Sequence, residues 1–352
     1  MKWEDNVRKV VPYVAGEQPN KPNMIKLNTN ECPYPPAPGV KRLAENLDVD
    51  ALRLYPNPDV TPLVNTLADY YGVKTSQVFV GVGSDDVLSM AFLTFFNSEK
   101  PILFPDITYS FYDVWAELYR IPYKTCALDE NWRIKAEDYT QPNGGVIFPN
   151  PNAPTGVLES LETVEEIIKA NQDVVVIVDE AYVDFGGESA LPLIEKYDNL
   201  LVVQTFSKSR AMAGLRIGFA IGNEKLIGYL NDAKFSFNSY TMNLPSQVLG
   251  VEAVKDDAYF KATTAKMIAT RERVKKELTG LGFTFPDSMT NFIFATHESI
   301  PAEEIFKALR EADIYVRYWN KPRINNYLRI SIGTDEEMDA LLAFLRNYIE
   351  HY

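Results

Sequence analysis

Short runs without a polar position alternate along the chain with longer segments that are apolar on one side only. Residues 78–80, 102–104, 146–148, 174–178, 200–203 and 217–221 are of the first kind. Runs this short and this uniformly apolar predict strands buried on both faces. Between them, residues 61–71 carry Leu63, Leu67, Tyr70 and Tyr71 at helical spacing, and 84–96 is an apolar helix opening on Ser84, Asp85 and Asp86. Residues 109–119 and the amphipathic 160–171 are further helices. The alternation predicts an α/β fold: a large domain with a mostly parallel central sheet covered by helices on both faces. Ligands bind such sheets in the loops at the strands' carboxyl ends.

The two ends of the chain read differently. Pro12, Pro19, Pro22, Pro33, Pro35, Pro36 and Pro38 keep residues 1–38 out of regular helix or central strand, so this segment is an arm that must lie on another surface, such as a partner subunit. After residue 235 comes a long helical stretch over 244–280, a strand at 291–294, a helix at 302–312, strands at 314–316 and 327–332, and a helix at 335–350. The expected division is therefore an arm (1–38), a large domain (39–235) and a smaller α/β domain (236–352).

Composition narrows the chemistry. A formal charge of −13 over 352 residues argues against nucleic acid, which needs clustered Lys and Arg. Only Cys32 and Cys126 are present, too few for a disulfide framework and in keeping with a reducing compartment. No run approaches the ~20 apolar residues that span a bilayer, and the first residues lack the apolar core of a signal peptide, so the expected location is the cytoplasm. With only His297 and His351 available, a Ser-His-Asp triad or a histidine-rich metal site is nearly excluded, and no metal is expected. Lysine, tyrosine, carboxylates or a cofactor must then handle protons.

Residues 205–218 offer the sharpest candidate. Lys208 directly follows a buried strand, among Thr205, Ser207 and Ser209, with Arg216 eight residues on. Burial favours a neutral amine, a nucleophile towards carbonyls, and the hydroxyls with Arg216 can hold a phosphate. A lysine beside a phosphate site suggests pyridoxal phosphate held as a Schiff base. Asp179, ending strand 174–178, can pair with the protonated pyridine nitrogen or cap the following turn. Tyr182 can donate to a ring oxygen. Residues 81–86, Gly-Val-Gly-Ser-Asp-Asp, place a helix N-terminus after a strand, an anion site or an ordinary helix start. Residues 150–156 form a rigid Pro/Asn turn at the same sheet edge. Tyr109 and Tyr55 can stack on a cofactor or simply pack. Arg329 lies inside an apolar strand pattern and needs an anion, either a substrate carboxylate or phosphate, or an internal carboxylate, with Arg317 and Arg323 nearby in sequence. Residues 271–277 read as a solvated helix face.

In this order, Gly-Ser-Asp-Asp, an aromatic after the next strand, Asn-Pro-x-x-Pro-Thr-Gly, Asp-Glu-Ala-Tyr, Ser-Lys, Gly-Leu-Arg-x-Gly and a distal Arg resemble the fold type I pyridoxal-phosphate-dependent aminotransferases over nearly the whole chain. Leu27-Asn28-Thr29-Asn30-Glu31, Arg53-Leu54-Tyr55-Pro56, Thr205-Phe206-Ser207-Lys208 and residues 326–334 bring it closest to the histidinol-phosphate subgroup. The resemblance implies that Lys208 carries the cofactor and shuttles the proton, Asp179 pairs with the pyridine nitrogen, and Tyr182 and Asn152 reach the ring hydroxyl. It implies that Tyr109 stacks on the ring, and that Ser84, Asp85, Thr205, Ser207 and Arg216 surround the cofactor phosphate. Tyr55 reaches that phosphate from the other subunit of a homodimer, and Tyr13, Asn30, Arg317 and Arg329 hold the substrate. The implied reaction is transamination of L-histidinol phosphate with 2-oxoglutarate, giving imidazole acetol phosphate and L-glutamate in histidine biosynthesis. An aromatic amino acid aminotransferase, a threonine-phosphate decarboxylase of the same fold, and a non-catalytic sensor are the alternatives. The chain departs from many relatives at Ala153, where they carry asparagine immediately before Pro-Thr-Gly.

Overall fold

The computed structural model describes residues 2–352. In chain order the regular elements begin with β1 (Ile25–Lys26), α1 (Pro38–Glu45), α2 (Thr61–Tyr71), β2 (Val78–Gly81), α3 (Ser84–Phe95), β3 (Ile102–Pro105), α4 (Tyr112–Tyr119) and β4 (Tyr123–Cys126). They continue with β5 (Val146–Pro149), α5 (Leu161–Ala170), β6 (Val176–Asp179), β7 (Leu200–Thr205), β8 (Gly218–Gly222), α6 (Glu224–Phe237), α7 (Leu244–Lys255) and α8 (Asp257–Gly280). The last are β9 (Phe283–Thr284), β10 (Phe292–His297), α9 (Ala302–Glu311), β11 (Ile314–Tyr315), β12 (Arg317–Tyr318), β13 (Leu328–Ser331) and α10 (Asp335–Glu350).

The central sheet has seven strands in the order β2-β8-β7-β6-β5-β3-β4, all parallel except β8. Successive side chains of a strand point to opposite faces, so each apolar run feeds two cores at once. Val176, Val178, Leu200 and Val202 join Val164 of α5, Leu63 of α2 and Leu249 of α7 on one face. Ile177, Leu201 and Val203 join Leu88 of α3, Trp115 of α4 and Ile227 of α6 on the other. The smaller body is an antiparallel sheet, β12-β13-β10-β9, packed on α8, α9 and α10 around a third core. The arm contributes β1, which pairs in parallel with β11, and Leu27 enters that third core.

Four expectations change. The expected helix 244–280 is two helices, because the Asp256 side chain accepts from Tyr259 N and starts α8 afresh. The helix expected at 109–119 begins only at Tyr112, leaving Tyr109 in the loop after β3. Strand β4 and helix α6 were not foreseen: β4 is an edge strand with three exposed positions, so its sequence is not apolar. The 271–277 face is not wholly solvated, since Arg271 is buried and donates to the carbonyls of Phe185 and Thr290. Leu249, Ala253 and Val254 pack with the large sheet, whereas Val274 and Leu278 pack in the small body. We therefore propose three bodies as read from the sequence, with the large one running past residue 235 to the α7–α8 junction.

Candidate active site

The carboxyl ends of β6 and β7, the start of α3 and the loop after β3 converge on one cleft, closed by β12, β13 and the arm. Lys208 lies at its centre, in the loop after β7. Its amine is half-buried, 3.3 Å from the Thr29 carbonyl and 5.7 Å from the centre of the Tyr182 ring, and no carboxylate pairs with it among the described residues.

Asp179 closes β6 at the floor of the cleft. Its side chain is buried, and burial pushes its pKa up from 3.8 to about 6. Hydrogen bonds from the Tyr112 hydroxyl (2.8 Å) and Ala181 N–H (3.2 Å) oppose that shift, and Lys208's charge does so weakly. A carboxylate desolvated this far, with no cation in contact, is a site prepared for a positive charge. Tyr112 was not anticipated, since nothing but its place one helical turn after Tyr109 distinguishes it among 20 tyrosines.

Across the cleft, Arg216 pairs with Asp85 (3.1 Å) and donates to the Ser207 hydroxyl (3.4 Å). Ser207 in turn accepts from Thr205 (3.1 Å), and all of these with Ser84 line one lobe. Two glycines make the lobe possible. Gly83 has φ +88°, and a Cβ there would stand 2.5 Å from Arg216 Nη2. A Cβ at Gly218 would stand 2.2 Å from Ser84 N, so only glycine lets the α3 N-terminus approach β8. The first N–H groups of α3 have no partner within the helix and, with its dipole, favour an anion. Tyr109 caps this lobe, its hydroxyl donating to Asp85 (2.7 Å), and burial holds its pKa well above the usual tyrosine range.

Asn152 is not among the residues that line the cleft, and its Oδ1 is buried without a partner. Its amide donates to the Ile107 carbonyl and the Thr155 hydroxyl, both at 3.0 Å, and Ala153 and Pro154 line the wall instead. Tyr182 is there, its hydroxyl accepting from Asn30 Nδ2 (2.9 Å). Asn30 is fixed by Ser331, which donates to Asn30 Oδ1 (3.0 Å) and accepts from Asn30 N (2.9 Å). Tyr55 is absent from the cleft: it is 83% exposed and packs on Tyr240 with ring centres 4.7 Å apart.

The outer lobe holds Tyr13, stacked on Phe111 at 4.2 Å, together with Arg317 and Arg329. Arg329 pairs with no carboxylate among the described residues. It donates to the Asn28 carbonyl (2.9 Å), and its Nε is buried without a partner. Burial pushes its pKa down to about 10, and the charge of Arg317 adds to the shift. Arg323 does not join them: it is bound to Asp106 (2.6 Å) and to the Leu128 carbonyl (2.9 Å). Trp319, unremarked in the sequence, stands beside both outer arginines, each guanidinium carbon 5.2 Å from its ring centre.

A doubly wound sheet with lysine, aspartate and an arginine-bound anion lobe at its carboxyl edge is the architecture of the class I and II aminotransferases. The chain belongs to that family, whose model matches residues 22–345. It is similar to the histidinol-phosphate aminotransferase of Lactococcus lactis subsp. cremoris (strain MG1363), with 52% identity over 351 residues, covering 100% of this chain and 99% of the relative. The Clostridium botulinum (strain Langeland) protein of the same name is 50% identical over 347 residues, 99% of this chain and 98% of the relative. Among solved structures, the histidinol-phosphate aminotransferase from Clostridium acetobutylicum superposes with a TM-score of 0.84 at 23% identity, covering 94% of this chain and 100% of that one. The Sinorhizobium meliloti enzyme, in complex with pyridoxal-5'-phosphate, has a TM-score of 0.85 at 24% identity, covering 93% and 91%. These two likenesses speak for the fold alone.

Proposed function

We propose that the chain is a pyridoxal-phosphate-dependent aminotransferase that converts L-histidinol phosphate and 2-oxoglutarate to imidazole acetol phosphate and L-glutamate. The observation that carries the substrate is the pair Arg317 and Arg329, which share the cleft with the Lys208 amine and have no carboxylate partner among the described residues. L-Histidinol phosphate has no α-carboxylate. Its phosphate carries close to two negative charges at neutral pH, matched by two guanidiniums. The names of the relatives at about half identity support the same substrate.

The inner lobe fits the cofactor. The desolvated Asp179 suits a pyridinium nitrogen, and the Gly83–Arg216 contact with the free α3 N–H groups suits a phosphate. That phosphate would meet the backbone N–H groups of Ser84 and Asp85 together with Thr205, Ser207 and Arg216, because the Asp85 carboxylate is already engaged by Arg216 and Tyr109. Pyridoxal phosphate, when bound, supplies an electron-withdrawing ring that stabilises negative charge on the substrate's α-carbon. Lys208 would hold the cofactor's aldehyde through its amine and, when freed, would carry a proton between the substrate's α-carbon and the product side. Asp179 would keep the ring nitrogen protonated, and Tyr109 would cover the ring. Tyr182, backed by Asn30, would donate to the ring oxygen. Asn152 acts indirectly, by holding the turn that presents Ala153. Tyr13 closes the substrate lobe, and Asn30 orients both Tyr182 and the Thr29 segment.

The active unit in this proposal is a cytoplasmic homodimer. Tyr55 is exposed, as are its neighbours Leu52 and Leu54, away from its own cleft, and serves the cofactor phosphate of a second copy. No helix among the described residues is long and apolar enough to cross a membrane. The test is Lys208→Ala: the purified protein loses the visible absorption of lysine-bound cofactor and at least about a thousandfold in turnover of L-histidinol phosphate. A wild-type protein that stays colourless with added pyridoxal phosphate overturns the proposal.

A further inference from the structure

The outer lobe poses an electrostatic problem. Two guanidiniums, Arg317 and Arg329, come from paired positions of β12 and β13, close enough that Arg317 disfavours the charge on Arg329, and no carboxylate pairs with either among the described residues. Like charges in a partly dried site repel strongly, and ordinary packing would let flexible arginines swing apart. Arg329 is held in part: it stands over Phe292, ring centre 5.4 Å away, and bonds the Asn28 carbonyl. Arg317 lies beside the arm, where a Cβ on Gly16 would come within 2.9 Å of its Nη1. One side chain touches both: the indole of Trp319, 5.2 Å from each guanidinium carbon. The face of an indole carries negative potential and is the best aromatic partner for a cation. Trp319 therefore offsets part of the mutual repulsion without providing a charge that would compete with an anion.

We infer that Trp319 is a specificity-determining residue: it holds Arg317 and Arg329 together as one dianion site, so that the cleft favours a phosphate monoester over a carboxylate. The inference rests on the substrate reading above. A carboxylate has one charge and two oxygens and is satisfied by either arginine alone. A phosphate monoester has three free oxygens and close to two charges, and reaches its full affinity only with both guanidiniums held at one spot. A carboxylate on residue 319 would instead neutralise the pair, and an aliphatic residue would leave it unbraced.

The experiment compares wild type, Trp319→Phe and Trp319→Leu as cofactor-loaded protein. Each is titrated calorimetrically with inorganic phosphate and assayed with L-histidinol phosphate and 2-oxoglutarate. Trp319→Leu should weaken phosphate binding and raise KM for L-histidinol phosphate by about tenfold or more, the effect falling on KM rather than kcat. KM for 2-oxoglutarate should change by less than about threefold, and Trp319→Phe, which keeps an aromatic face, should stay within about threefold of wild type throughout. Equal loss for both substrates, unchanged phosphate binding in Trp319→Leu, or a Trp319→Phe protein as impaired as Trp319→Leu overturns the inference. If wild type does not turn over L-histidinol phosphate, the substrate reading fails, and the phosphate titration still decides the role of Trp319.

Discussion

Replacing Asp179 with asparagine separates the cost of burying that carboxylate from the use made of it. Burial raises its pKa from 3.8 to about 6. At about 1.36 kcal/mol per unit, keeping it ionised costs the cofactor-free fold about 3 kcal/mol above pH 7. The sign follows from the raised value. The stabilising effect of protonation is complete below the unfolded pKa near 4 and is lost as the pH rises through about 6. Asparagine has nearly the same shape and can still accept from Tyr112, but it carries no charge. Cofactor-free Asp179→Asn should therefore melt about 4 °C above wild type at pH 8, for an unfolding entropy of ~2.1 cal/mol/K per residue. The gain should fall to about half at pH 5 and below about 1 kcal/mol at pH 4. The same variant should lose at least about a hundredfold in turnover, because the pyridinium loses its buried partner. Thermal scans of the two cofactor-free proteins across this pH range check the stability arm. A variant no more stable than wild type at pH 8, or a gain independent of pH, refutes the reasoning.

Gly83→Ala should weaken cofactor retention by about tenfold or more in equilibrium dialysis, because its Cβ would occupy the space of Arg216 Nη2 at a φ that alanine rarely adopts. Tyr112→Phe removes a hydrogen bond that lowers the pKa of Asp179, so the midpoint of the pH dependence of cofactor uptake should move upward. Arg329→Gln should raise KM for L-histidinol phosphate by about a hundredfold, measured by steady-state kinetics. Tyr55→Phe should weaken activity, and adding inactive Lys208→Ala chains should raise it, since random pairing gives half heterodimers with one site that has both its Tyr55 and its Lys208 intact. No recovery on mixing counts against the shared site.

The central sheet was legible because its strands are buried on both faces and leave unbroken apolar runs. Edge strand β4 and helix α6 escaped for the opposite reason, their exposed positions diluting the pattern. The break at Asp256 escaped because a capping aspartate inside a polar helix looks like one more exposed charge. Around the cleft, residues at strand ends were readable: Lys208, Asp179 and the α3 start each follow an apolar run directly. Contacts set by tertiary packing were not. Nothing local tells that Tyr112 rather than another tyrosine reaches Asp179, that Arg323 turns away to Asp106, or that Trp319 stands between two arginines. The Asn152 amide was the hardest to foresee, because its orientation depends on the Ile107 carbonyl of a different loop.

The substrate assignment is tested most directly by kcat/KM for L-histidinol phosphate, L-phenylalanine and threonine phosphate, each with 2-oxoglutarate as acceptor or, for threonine phosphate, with carbon dioxide release followed as well. The paired guanidiniums, with no acid paired to them among the described residues, predict that L-histidinol phosphate is preferred over L-phenylalanine by at least about a hundredfold. A preference for either carboxylate-bearing amino acid, with negligible turnover of L-histidinol phosphate, would contradict the account.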